Sequence, residues 1–243
     1  MKVSICMATY NGAKYIREQV DSILRQEFRE NKDVELELIV SDDGSTDETI
    51  AILKGYNDPR IHICQHHTER HHRHNQALFA ATENFGNALA KATGDYIFFA
   101  DQDDVWLPQR LDVQLVNLCK SGGVNCCAFE ITDESLNRIG EVHYEHEPFW
   151  KLRRQYAVYG FSIGMERKML RYLLPMPHVP QHDLFIQLVA QRLGCLYFTD
   201  TVLARHRWSG QHNVSSSGHA PMAFRLYHRL RLMTIALWRA WTR

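Results

Sequence analysis

At 243 residues, with Lys plus Arg equal to Asp plus Glu at 28 each, the chain can bury one substantial core and carries no net charge. A balanced chain presents no overall basic field, so no nucleic-acid partner is expected. Its six cysteines form no CxxC pair, and no stretch has the uninterrupted apolar length of a membrane span or a signal-peptide core, so the expectation is a cytoplasmic protein that is neither exported nor integral.

Lys2 to Met7 reads as a first strand, broken by the turn residues Thr9-Tyr10-Asn11-Gly12. Ile16, Val20 and Leu24, with Ile23 beside them, then mark an amphipathic helix with its cap expected near Asn11. Leu36 to Val40 is the second strand, followed by Ser41-Asp42-Asp43-Gly44. Ser45 and Glu48 have capping-box spacing, and Ile50, Ile52 and Leu53 carry the next helix. A third strand begins at Ile61-His62-Ile63, and a helix through Leu78, Phe85 and Leu89 leads to Gly94. The apolar run Tyr96-Ile97-Phe98-Phe99-Ala100 reads as a buried strand that ends in Asp101-Gln102-Asp103-Asp104. This alternation predicts an α/β fold with a mostly parallel central sheet flanked by helices.

Parallel strands place their carboxyl ends along one edge, where open α/β sheets bind ligands. Three polar clusters converge there: Thr9-Tyr10-Asn11, Asp42-Asp43 and Asp101 to Asp104. Neither GxGxxG nor a P-loop is present, so a phosphate would be met through a metal ion. Asp101 and Asp103 stand two apart, and in extended chain they face one side and can share a divalent cation. Asp104 is equally suited to cap the helix that Pro108 opens.

Beyond Pro108 a helix through Leu111, Leu115 and Leu118 leads to a strand from Val124 to Ile131. Gly160, Ser162 and Gly164 lie in an apolar segment, as where backbone approaches a ligand or only turns. Gln181-His182-Asp183 precedes an apolar helix, where Asp183 is either a general base or a cap. Six histidines crowd residues 62 to 74 without zinc-finger spacing. Residues 219 to 243 form a basic amphipathic tail without an acid, fit to lie on an anionic leaflet or to pack back on the domain or a second subunit.

The motifs Met7-Ala8-Thr9-Tyr10-Asn11-Gly12, Ser41 to Asp47 and Asp101 to Pro108, in that order, resemble family 2 glycosyltransferases of the GT-A fold. The likeness is strongest over residues 1 to 118 and continues more weakly to about residue 218, most like bacterial enzymes of surface-polysaccharide synthesis, including rhamnosyltransferase-like members. It implies one GT-A domain over residues 1 to 218, with a nucleotide-sugar-binding half (1 to 104) and an acceptor half (105 to 218), before the tail.

It also implies inverting transfer from a UDP- or dTDP-sugar to a glycan or lipid-linked glycan hydroxyl, with Mg²⁺ or Mn²⁺. Thr9, Tyr10 and Asn11 would help bind the donor, and Asp43, with Asp42, would meet the imide of its base. Asp103 is the principal expected metal ligand, with Asp101 or Gln102 on metal or ribose. Gly160, Ser162, His182 and Trp106 would lie near sugar or acceptor, and Asp183 would be the base. Arg205 and Arg207 would meet the diphosphate. A non-catalytic sugar-nucleotide-binding subunit and a metal-dependent nucleotide-sugar hydrolase are the alternatives, and a transferase alone responds to acceptor. Inner-face membrane contact through residues 219 to 243 suits a lipid-linked acceptor.

Overall fold

Strand β1 (Lys2–Thr9) is buried on both faces, Val3, Ile5 and Met7 on one side and Ser4 and Cys6 on the other, which places it inside a sheet covered on both sides. The computed structural model describes residues 1–31, 33–68, 76–145, 158–208 and 221–243. Helix α1 (Ile16–Leu24), strand β2 (Glu35–Asp42), helix α2 (Thr49–Gly55), strand β3 (Ile61–Gln65), helix α3 (Gln76–Leu89) and strand β4 (Tyr96–Asp101) follow in turn. The four strands pair in parallel in the order β3-β2-β1-β4.

The chain continues through β5 (Val105–Trp106), α4 (Arg110–Ser121), β6 (Val124–Thr132), β7 (Arg138–Val142), β8 (Ile163–Glu166), α5 (Leu170–Leu173), α6 (His182–Arg192), β9 (Leu196–Arg207) and α7 (Met222–Thr242). β8 runs antiparallel between β4 and β6, and β9 pairs in parallel with β6. Antiparallel β5 closes the far edge against β9. One core joins β1 and β4 to α1 and α4 through Ile5, Ile16, Val20, Phe98 and Leu111. The other joins them to α3 and α6 through Cys6, Phe85, Phe99, Phe185 and Val189. The sheet is therefore sandwiched between helices, with every strand-end loop of its parallel half on one edge.

Two expected caps are not formed. Helix α1 begins at Ile16 after Tyr15, with no side-chain cap. Asn11 lies in left-handed backbone at φ 48°, and its side chain accepts the Thr46 N–H at 2.8 Å instead. Ser45 is likewise diverted, its hydroxyl donating to Asp42, and α2 begins only at Thr49. For Asn11 a bond between the β1 and β2 loops replaces the local cap, and for Ser45 a bond that closes the β2 loop does so.

Helix α7 packs on α6 and α5 through His228, Leu232, Ala236 and Arg239. The Arg239 guanidinium donates to the carbonyl oxygens of Tyr172, Leu173 and Pro175, which holds the helix against the 170–175 segment. Among the described residues, no helix is long and apolar enough to cross a membrane.

The join between the parallel and mixed halves depends on one close approach. Phe98 of β4 lies over Gly164 of β8, and a Cβ there would fall 2.5 Å from the buried Phe98 ring. Gly164→Ala is expected to cost about 1–3 kcal/mol by overpacking and to lower the melting temperature by several degrees. An unchanged calorimetric midpoint would contradict this packing.

Candidate active site

The register of the parallel strands brings the polar clusters together. Thr9 pairs with Asp42 and Ala8 with Asp101, so all three strands end at one level. The Thr9 hydroxyl donates to Asp42 Oδ1 at 2.9 Å. Asp42 Oδ2 accepts the Ser45 N–H at 2.8 Å, so this buried carboxylate organises the loop. Asp43 accepts the Thr68 N–H through Oδ1 at 2.7 Å, tying the β2 loop to the segment after β3. Asn11 N–H donates to Ser45 Oγ at 2.8 Å. The Tyr10 side chain stands exposed above this platform.

Gln102 joins the β1 and β4 loops. Its Oε1 accepts the Tyr10 N–H at 2.9 Å and its Nε2 donates to Tyr10 O at 3.1 Å. Gly12 leaves the room for this clamp, because a Cβ there would fall 2.3 Å from Gln102 Oε1. Replacing Gly12 with any other residue would expel the Gln102 side chain.

β4 ends at Asp101, so Asp103 sits in a turn and the alternation of an extended strand does not set its direction. Asp101 and Asp103 still share one electrostatic environment. Burial, then the negative charges of Asp104 and Asp103, hold the Asp101 carboxyl well above its ordinary range. Burial and Asp104 raise Asp103 to about 6. In both, burial acts first and neighbouring carboxylates second, with the His206 charge opposing them.

Asp104 does not cap a helix. It is fully buried, and Oδ1 accepts from His206 Nδ1 at 2.8 Å and from the Arg207 N–H at 3.2 Å. Helix α4 begins six residues later at Arg110, beyond the reach of that carboxylate. The other oxygen, Asp104 Oδ2, is buried without a hydrogen-bond partner. The His206 ring also stacks on Phe161, centroid to centroid at 4.8 Å and 11°.

Arg207 binds the acidic turn from beneath. Its side chain is 4% exposed. Nε donates to Asp103 O at 3.0 Å, Nη1 to Glu134 O, and Nη2 pairs with Glu18 of α1 at 2.6 Å. The Tyr15 ring lies 4.6 Å from its guanidinium carbon. In this arrangement the guanidinium holds the Asp103 backbone. Arg205 pairs with Glu130 at 3.1 Å on the neighbouring strand.

Asp183 lies on the first turn of α6, which begins after Gln181. It is half-buried, and its Oδ1 accepts the Leu184 N–H at 2.7 Å. Its charge contributes to the rise in the Asp101 pKa, which puts the two carboxylates in one electrostatic neighbourhood across the sheet edge. The His182 ring stacks on Phe99, 6.0 Å and 15°, and contacts Phe85. Burial pushes its pKa down, with Asp183 opposing, so it is held neutral.

His182 Nε2 is buried without a partner, and a Cβ on Gly160 would fall 2.6 Å from it. Gly160 thus makes room for the histidine beside Asp183. Ser162 is fully buried, with its hydroxyl donating to Tyr159 O at 2.7 Å. Trp106 is core, 2% exposed, with the Arg110 guanidinium 3.8 Å over its ring. Neither side chain opens toward the sheet edge. Of the crowded histidines, His71, His72 and His74 lie outside the described residues, as do Ser209, His212 and Asn213 downstream of Arg207.

Among the described residues no three His, Cys, Asp or Glu side chains converge as a closed metal cage. Sequence reasoning missed His206 and Glu18. Nothing local in Arg205-His206-Arg207 distinguishes the imidazole from a solvated basic strand, and its partner lies 102 residues away.

A parallel half-sheet ending in acids, extended by a mixed half that delivers a helix N-terminus, is the GT-A arrangement. Staphylococcus aureus TarS in complex with UDP-GlcNAc shares this fold, with a TM-score of 0.72 and 19% identity over 97% of this chain and 66% of that one. The mannosyltransferase PcManGT of Pyrobaculum calidifontis, solved with GDP-Man and Mn²⁺, matches with a TM-score of 0.61 and 18% identity, covering 98% and 72%. Residues 4–172 match the profile described as Glycosyl transferase family 2, and the chain belongs to that family.

Escherichia coli WfgD, a UDP-Glc:α-D-GlcNAc-diphosphoundecaprenol β-1,3-glucosyltransferase, is 30% identical over 220 residues, 88% of this chain and 80% of its own length. EpsE of Bacillus subtilis is 38% identical over 122 residues, 49% of this chain, and the match spans about two-fifths (39%) of its length.

His206 makes the site sensitive to pH. Burial lowers its pKa, but the Asp104 charge and hydrogen bond, with Asp101 and Asp103, outweigh that and raise it to about 9. The folded value exceeds the ordinary value of about 6.5, so the stabilisation is complete below about pH 6.5 and lost as pH rises through about 9. Denaturant unfolding is expected to show the wild type losing stability over that window, with a flatter profile for His206→Gln. Parallel profiles would remove the pair from the account.

Proposed function

We propose that this chain is an inverting glycosyltransferase that moves a sugar from a UDP- or dTDP-linked donor to a hydroxyl of a bacterial polysaccharide, lipopolysaccharide or lipid-linked glycan. The observation that carries it is Asp183 at a helix N-terminus, next to His182, whose ring stacks on Phe99 in the strand that ends at Asp101. The UDP-Glc and diphosphoundecaprenol in the name of WfgD and the UDP-GlcNAc bound to TarS support donor and acceptor class. The free cysteines suit a reducing cytoplasm.

In this reading the base of the donor lies on the platform of Thr9, Tyr10, Asn11 and Asp43, and Gln102 fixes the backbone of Tyr10 beneath it. Asp103 and Asp101 would hold the cation, and their raised pKa values and the orphaned Asp104 Oδ2 are what an electropositive group at this turn would relieve. Mg²⁺ or Mn²⁺ there would offset charge on the departing diphosphate, as Mn²⁺ in the PcManGT complex suggests.

Arg207 keeps Asp103 in place by holding its carbonyl. Asp183 accepts the proton of the acceptor hydroxyl as its oxygen attacks the anomeric carbon from the face opposite the diphosphate. His182 stays neutral and packs beside that carboxylate, so it orients without competing for the proton.

Asp183→Asn is expected to lower kcat by about 10²–10⁴-fold while calorimetric donor affinity stays within about twofold. Asp103→Ala is expected to abolish the thermal stabilisation that a UDP- or dTDP-sugar with Mn²⁺ gives the wild type, about 2.7 kcal/mol at a hundredfold excess over Kd. Normal turnover by a folded Asp183→Asn protein would overturn the assignment of the base. Sugar release without acceptor at the same rate as with it would favour a hydrolase.

A further inference from the structure

We infer that the outer face of α7 is a docking surface for an anionic phospholipid membrane, on which the protein lies with α7 parallel to the plane. Each helical residue turns the chain by about 100°. On that wheel Ala223, Leu226, Tyr227, Leu230, Thr234, Leu237, Trp238 and Trp241 fall on one side, and every one of them is exposed. Trp238 is 54% and Trp241 85% exposed. A monomer in water seldom leaves two tryptophans, a tyrosine and three leucines contiguous and uncovered.

The opposite side is already occupied. His228, Leu232, Ala236 and Arg239 are buried against the body of the protein, so the helix orientation is fixed and the apolar stripe cannot turn inward. The stripe is a property of the folded domain and not of a free tail.

Charge selects the occupant. Residues 219 to 243 contain Arg225, Arg229, Arg231, Arg239 and Arg243 and no Asp or Glu. On the wheel Arg229 and Arg231 border the stripe on its two sides, placing cations where lipid headgroups would surround a half-sunken helix. A second copy of the same face would oppose Arg with Arg, which costs affinity, whereas an anionic leaflet is attracted by about 1 kcal/mol per Arg near its surface. Tryptophan and tyrosine belong at that interface because their rings are apolar with one polar edge.

The contacts also give the docked protein an orientation. Arg231 donates to His178 O at 2.9 Å, and His228 contacts the Phe79 ring, so the amino-terminal half of α7 lies beside the segment leading into His182 and Asp183. The carboxyl-terminal half lies along residues 171–175. Seating α7 on the leaflet brings the entrance to α6 near the lipid surface, the side from which a lipid-linked hydroxyl would arrive.

Flotation of the full chain, without substrate, tests this apart from the transfer chemistry. The probes are vesicles of phosphatidylcholine alone and of phosphatidylcholine with about one-third phosphatidylglycerol. The protein is expected to float with the anionic vesicles only. Sodium chloride at about 0.5 M should weaken binding severalfold. Trp238→Ser with Trp241→Ser, both exposed and outside the core, should lower partitioning at least about tenfold with the melting temperature unchanged. Equal recovery with neutral and anionic vesicles, or no recovery with either, would overturn the proposal. A concentration-dependent dimer lost in the double variant would assign the face to a second copy instead.

Discussion

Three carboxylates within four residues at one strand end repel one another, and the acidic turn persists because β9 brings countercharge to it from the far side of the fold. Asp104 is buried on His206, and Arg207 grips the Asp103 carbonyl while bridging to Glu18 of α1. These partners belong to a strand that is reached only after the whole mixed half has been built. Formation of the site is therefore coupled to completion of the sheet, and Asp101 and Asp103 are left as acids whose ionised form is disfavoured by burial and by the neighbouring carboxylates.

The same division of labour runs through the other strand ends. Asp42 is spent on Thr9 and Ser45, Gln102 on Tyr10, and Asn11 on Ser45 and Thr46, so the loops form one stitched platform. Asp43 accepts the Thr68 N–H through Oδ1, the one hydrogen bond its carboxylate makes among the described residues. A platform whose polar atoms are already satisfied pays little ordering entropy when a ligand settles on it. Opposite it, Gly160 gives up its side chain so that His182 can pack beside Asp183.

Much of this was legible from residue order alone. The alternation of apolar runs with amphipathic segments located β1 to β4, because each parallel strand is buried on both faces and reads as a continuous apolar stretch. Parallel pairing then implied that the clusters after β1, β2 and β4 converge, and a helix was expected behind the polar triplet 181–183, whose last two residues the structure includes in α6. What the sequence could not reveal was how polar groups are shared. Asn11, Ser45 and Asp104 each carry a local capping signal, yet each bonds across the sheet edge to a residue at least 33 positions away or, for Ser45, to the Asp42 that closes its own loop. Arg207 reads as a phosphate ligand and lies instead beneath the turn. The tail carried two readings, packing inward or facing outward, and its helix uses one face for the first while leaving an apolar stripe on the second.

In the proposed mechanism the acidic turn and Asp183 flank one reacting centre. A crystal structure with an intact UDP- or dTDP-sugar and Mn²⁺, using Asp183→Asn to prevent turnover, tests it most directly. The diphosphate and metal are expected at Asp103 and Asp101, with the anomeric carbon facing residue 183 on the side away from the diphosphate. A donor bound with its diphosphate elsewhere, or with its anomeric carbon turned from residue 183, would contradict it.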